Sequence, residues 1–179
     1  MNPFHLTADA LQEPWRLWTC HLAHHDWRHA VDNLLALAIP FILARRRDRA
    51  RLALWLFVLA PLLSLALMPY LDGGSACGIS GLACAAWALV GLQLSVREDS
   101  FAVGGLMLGL LALKFGVESF TGCGVLQHGG RWQTLSKSHL FGTLLGLWAG
   151  LADKRFAILE RRSFVFLRDH AKALITVPR

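Results

Sequence analysis

Charge is scarce in this chain of 179 residues: Asp, Glu, Lys and Arg make up only 17% of it, against 55% hydrophobic residues and a mean hydropathy of +0.45. That deficit excludes an ordinary water-soluble globule, in which about a quarter of the residues carry charge. Polar low-complexity runs are few and prolines number only six, which excludes a disordered chain. No Lys- or Arg-led leader opens the sequence, so no cleaved secretory segment is expected. Acidic residues are also short, 12 against 18 Lys and Arg, leaving +6. The basic residues gather in blocks between apolar runs, as they do in loops on the cytoplasmic face of a membrane. The excess therefore reads as topology, and no nucleic-acid partner is expected.

What is present is apolar sequence of membrane-crossing length. Leu52 to Leu71, Cys77 to Val96 and Phe101 to Phe120 each match the roughly 20 residues that span a hydrocarbon core of about 30 Å. Trp27 to Leu43, stopped by Arg45, Arg46 and Arg47, and His139 to Ala152, stopped by Asp153, Lys154 and Arg155, complete five predicted transmembrane helices. The expected fold class is all-α, a polytopic membrane helix bundle over residues 1–153 with a basic cytoplasmic tail over 154–179. Pro61 falls inside a span, where neighbouring helices can satisfy the carbonyl it frees. Thirteen of the eighteen Lys and Arg fall on one side, chiefly Arg45 to Arg51, Arg97 and the tail, so that side is the cytoplasm and the N-terminus is outside. The tail alternates basic and apolar groups and is expected to lie on the anionic inner surface.

Polar groups inside spans cost free energy and are functional candidates by default. Counted back at 1.5 Å per residue from the basic residue that ends each helix, Ser80 lies 17 residues from Arg97, His139 lies 15 from Lys154 and His29 lies 16 from Arg45. All three heights are about 22 to 25 Å, which is about 5 to 8 Å below the outer hydrocarbon surface. Small residues follow each reactive one: Cys84, Ala88 and Gly91 after Ser80, and Gly142, Gly146 and Gly150 after His139. The expectation is that these two faces pack together closely enough for a hydroxyl-to-imidazole hydrogen bond, a nucleophile and its base. Gly78 and Gly81 flank Ser80, freeing the backbone for a sharp entry into a helix whose first amides suit an oxyanion. His29 and Asn33, four apart on one face, are assigned to the same oxyanion.

These residues in this order resemble the rhomboid intramembrane serine proteases: Trp15-Arg16, then His24, His29 and Asn33 as H-x4-H-x3-N, then Gly78-Ile79-Ser80-Gly81, then His139-Leu-Phe-Gly142. The resemblance covers most of the chain. It implies a catalytic Ser80/His139 dyad without an acid, an oxyanion site of His29, Asn33 and the Ser80 amide, and cleavage of a substrate's transmembrane segment near its outer end. Lys114-Phe-Gly-Val-Glu118 and Ser138-His139-Leu-Phe-Gly look like the rhombosortase branch. That branch implies a bacterial inner-membrane enzyme facing the periplasm, acting on exported proteins with a C-terminal Gly-Gly motif, an apolar anchor helix and a basic end. Rhomboids usually have a further helix before the Trp-Arg segment, and Met1 to Pro14 is too short and polar to supply it. Either five spans suffice or the start lies upstream, the second being favoured because His5, Asp9, Glu13 and Arg16 would otherwise have to be exported unaided.

Taken singly, Ser80 is a packing residue, His139 a core histidine and Asn33 a helix contact; their coincidence at one depth carries the catalytic reading. His21, His24, His25 and His29 are dense enough to consider a metal. However, no His-Glu-x-x-His occurs and only Asp26 and Asp32 stand near, so neither metal nor cofactor is expected. His24 is assigned to the cavity and a loop hydrogen bond, and His21 and His25 to solvent. Lys114 and Glu118, i and i+4, are read as a structural ion pair, and Asp32 is left without an assigned partner. Cys20, Cys77 and Cys123 fall on the outer side, where one disulfide is possible. The seven tryptophans are read as mostly span-edge or lipid-facing, with Trp15, Trp18 and Trp132 near the outer interface. The rival functions are a rhomboid-like binder that does not cut and a small proton-coupled transporter.

Overall fold

The computed structural model describes residues 2–121 and 136–153; the calls on Cys123, Trp132 and the tail from Lys154 lie outside them. A single turn, α1 (Arg16–Thr19), precedes α2 (Trp27–Leu43), α3 (Arg49–Leu67), α4 (Ser80–Leu94) and α5 (Phe101–Thr121). A sixth helix, α6, covers 136–153. A helix covers each of the five predicted spans, with ends shifted by a few residues, and among the described residues Arg46–Tyr70 and Phe101–Thr121 are long and apolar enough to cross a membrane. Among the described residues the only extended pairing is a bridge between Leu6 and Ala76, which ties the N-terminal segment to the loop before α4.

The bundle is apolar outside and carries its polar groups within. Leu54, Phe57, Leu106, Leu113 and Leu144 are exposed, whereas Asn33, Ser64, Glu118, His139 and Asp153 are buried. That inversion suits a lipid solvent. Eleven of the fifteen residues of α4 are buried, and it packs against α2, α3 and α5, with α6 along a further face. Its small side chains make that central place possible.

The two in-helix prolines show how backbone is satisfied here. Pro61 has no N–H for the Phe57 carbonyl, and the Trp18 indole donates to that carbonyl at 3.1 Å. Pro40 likewise frees the Ala36 carbonyl, which accepts from the Trp87 indole at 2.7 Å. Trp55 donates to Asp153. Three half-buried tryptophans thus hydrogen-bond within the bundle, while Trp15, Trp27 and Trp148 are exposed.

The basic residues gather at one end. Arg51 and Gln93 join Trp55 on Asp153, linking α3, α4 and α6, while Arg97 pairs with Asp48 and Arg45 with Asp99. Ser80 opens α4 at the opposite end.

Candidate active site

Ser80 is delivered by a turn that needs glycine. Gly78 has φ +114°, and a Cβ there would meet His29 Cε1 at 3.2 Å, His29 Nε2 at 3.6 Å and Asn33 Nδ2 at 3.7 Å. The Gly78 amide donates to the Cys20 carbonyl at 2.9 Å, which anchors the turn. The backbone therefore runs directly against both oxyanion candidates just before α4 begins, and the Ser80 amide is among the first-turn donors that no intrahelical carbonyl can reach.

His29 and Asn33 are aligned by the start of α2. The Asp26 side chain accepts from the His29 amide at 2.8 Å, an N-cap that holds the first turn. Asn33, one helical turn further on, is 5% exposed, and its Nδ2 has no partner among the described residues. A buried amide donor without an acceptor is costly in a stable fold and useful at a site that must receive negative charge.

The helix bearing His139 lies against α4 without intervening side chains. A Cβ on Gly142 would stand 2.0 Å from the Gly81 carbonyl oxygen, one on Gly146 2.2 Å from that of Ala85, and one on Gly81 2.9 Å from that of Ser138. Close approach was expected, but on a different face. The glycine stripe of α6 packs on Gly81, Ala85 and Leu89, one residue round from Ser80, whereas Cys84, Ala88 and Gly91 face Leu111, Met107 and Leu108 of α5. One residue is about 100° of rotation, so Ser80 sits at the seam of α4 with both α5 and α6.

At that seam His139, 4% exposed, meets two side chains of α5 through Nδ1: Glu118 Oε2 at 2.9 Å and Lys114 Nζ at 2.9 Å. Lys114 and Glu118 also pair with each other, as predicted. Sequence reasoning missed the third member. The signal was available, because Glu118 lies 17 residues from Phe101 at the basic end, about 25 Å, the height already found for Ser80, His139 and His29. Among the described residues, Ser80 is not a hydrogen-bond partner of His139.

The remaining histidines divide differently from expectation. His24 does bond within its loop, to the Leu22 carbonyl at 3.1 Å, and its ring stands edge-on to His29 at 5.3 Å. His25 is exposed and stacks on His29. His21 is not solvated but 4% exposed, its Nε2 at 3.1 Å from the Ala60 carbonyl and 3.0 Å from Ser64 Oγ. Ser64 spends its own proton on the Leu17 carbonyl, so His21 Nε2 donates, while Nδ1 stands 3.4 Å from the Gly78 carbonyl. The correction follows from the fold: the short α1 and its following turn are pressed onto α3 instead of standing in water. Cys20 and Cys77 are free thiols, and burial pushes the Cys20 thiol up to about 11.

Burial holds His21 below the ordinary histidine value, and burial acts in the same direction on the half-buried His5. The unfolded chain then binds protons that the folded chain excludes, so stability is complete above about pH 6.5 and falls as the pH drops through that value. The slope is at most about 1.4 kcal/mol per pH unit for each histidine. The melting temperature in detergent should fall between pH 7.5 and 5.5, and His21→Asn should flatten part of that fall.

Two cavities meet at Ser80. One, of about 60 Å³, is lined by Cys20, His21, His25, His29, Ser75, Gly78 and Ser138 and has polar groups enough to hold water. The other, of about 230 Å³, is almost wholly apolar and lies between Ala36 of α2, Ala83, Cys84 and Trp87 of α4, and Leu110, Leu111 and Lys114 of α5. Ser80 lines both. Among the described residues, no group of three His, Cys, Asp or Glu side chains is arranged to hold a metal ion.

Comparison with known families matches the rhomboid domain over residues 11–156. The chain belongs to the rhomboid family. That family is typically one of intramembrane serine proteases, and the match together with the apolar helices makes this rhomboid an integral membrane protein. No curated protein and no solved structure matches it. The matched region of this rhomboid takes in all five spans and every residue of the site described above.

Proposed function

We propose that this rhomboid is an intramembrane serine protease of the rhombosortase kind, which cuts the transmembrane segment of exported proteins near its outer end, at C-terminal Gly-Gly anchors. The observation that carries this reading is the position of Ser80 on the wall between a polar and an apolar cavity. An unwound stretch of substrate backbone can lie in the apolar cavity while water reaches the reacting atoms from the other. Small residues such as glycine make that unwinding cheap. Ser80 Oγ attacks the carbonyl as His139 takes its proton; Asn33, His29 and the Ser80 amide receive the oxyanion; His139 returns the proton to the leaving amine, and water releases the acyl-enzyme. The basic end of the bundle faces the cytoplasm of a bacterial inner membrane on this reading, with the site on the periplasmic side.

The test is labelling of the full chain in native membranes with a fluorophosphonate, with the modified residue located by mass spectrometry. Exported proteins are then compared with and without this chain for C-termini trimmed beside Gly-Gly. Modification at Ser80 and trimmed termini support the proposal. Capture of client proteins without labelling or trimming favours a rhomboid-like binder. Asn33→Ala should slow cleavage 10²- to 10³-fold, about 2.7 to 4 kcal/mol of barrier, if its unpartnered amide is a main oxyanion donor. A wild-type rate in a kinetic assay on a purified anchor substrate removes that role.

A further inference from the structure

The resemblance to rhomboids implies a serine and a histidine alone, yet a carboxylate stands on Nδ1 of this histidine. Glu118 is 3% exposed and places Oε2 at 2.9 Å from His139 Nδ1, an approach made across two helices. Lys114 Nζ lies equally close to the same nitrogen. The two contacts make opposite demands. If Nδ1 carries the proton it donates to Glu118, and Nε2 is left with a lone pair able to accept from a hydroxyl. If Nδ1 is bare it accepts from Lys114, and the proton sits on Nε2, where it blocks that acceptance. Because Lys114 already has Glu118 as its ion-pair partner, the carboxylate sets the outcome. Among the described residues, the titratable groups that face this cluster are Glu118 and Lys114 from α5 and Cys84 from α4.

We propose that Glu118 is the positioning residue of the Ser80/His139 pair, its carboxylate holding the proton on Nδ1 so that Nε2 is the base, with Lys114 as its counter-ion. The inference rests on the serine-protease reading above. Glu118 steadies the imidazolium that forms when His139 takes the serine proton, and it takes up no proton itself. Lys114 makes an ionised carboxylate tolerable at this depth.

The experiment measures the rate of fluorophosphonate labelling against pH for the full chain in nanodiscs. The variants are Ser80→Ala, Glu118→Gln, Glu118→Asp and the charge-neutral double Lys114→Met/Glu118→Gln. Glu118→Gln is expected to slow labelling at pH 7 by on the order of 10²- to 10⁴-fold. It should also move the acid limb of the rate profile to lower pH, since a neutral amide favours the imidazolium less. Glu118→Asp should recover part of the rate. The double variant separates positioning from packing, because it removes both charges and leaves no buried ammonium unpaired. A merely structural pair predicts that the double variant labels like wild type with an unmoved profile, and that result overturns the proposal. A double variant that labels 10²- to 10⁴-fold more slowly than wild type upholds it, and this comparison with wild type decides the matter even if the single variant does not fold. Equal labelling of Ser80→Ala and wild type would instead sink the serine reading, and this inference with it.

Discussion

Ser80→Ala and His139→Ala are each expected to lower cleavage by on the order of 10⁶-fold, and the double variant is expected to lose no more than either single one. The equality is the informative part. A hydroxyl with no base is a poor nucleophile, and a base with no hydroxyl activates nothing, so removing either member removes the same step. The rate that survives in all three should be that of the oxyanion donors and substrate binding, which Asn33, His29 and the Ser80 amide still supply. Single-turnover cleavage of an anchor-bearing substrate in nanodiscs, at equal protein folding, makes the measurement. If the two losses multiply in the double variant, Ser80 and His139 act on separate steps and the paired mechanism is wrong.

Gly142→Val is expected to abolish labelling of Ser80 and to lower the melting temperature, although Gly142 touches neither reacting atom in the proposed chemistry. A Cβ at this position would lie 2.0 Å from the Gly81 carbonyl oxygen, 2.7 Å from its carbon and 3.2 Å from its Cα. All three are backbone atoms of α4 and none can swing aside, so the helices have to part. Overpacking of this kind costs about 1 to 3 kcal/mol, occasionally more. Parting α4 from α6 also withdraws His139 from Ser80, and a misplacement of about 1 Å can cost 10²-fold in rate. Gly109→Val on α5 is the matched control, because among the described residues nothing lies within 4 Å of its added Cβ. It should leave labelling unchanged, as measured beside Gly142→Val in the same nanodiscs. Equal effects of the two substitutions would mean that helix propensity, not the α4–α6 contact, governs the loss.

The spans, the basic end and the shared depth of Ser80, His139 and His29 follow from the order of residues alone. Bilayer thickness sets the length of an apolar run, Arg and Lys stop it at the water, and the fixed rise per residue turns sequence distance into height. The Lys114 and Glu118 pair is likewise local, since i and i+4 meet on any helix. Rotation about each helix axis is another matter. Helices such as α4 are apolar all the way round, so no polar face marks which side looks inward, and a lipid environment removes the contrast that makes such faces readable in water. Hence the tertiary structure alone decided that the glycines of α6 pack on Gly81 and Ala85, not on the Ser80 and Cys84 face. Packing of α1 onto α3 decided that His21 is a buried donor while its neighbour His25 stays exposed. The crossing of α5 with α6 likewise brought the Glu118 carboxylate to His139. Each of these joins residues far apart in the chain, and only backbone contact between small side chains on separate helices fixes the angle at which they meet.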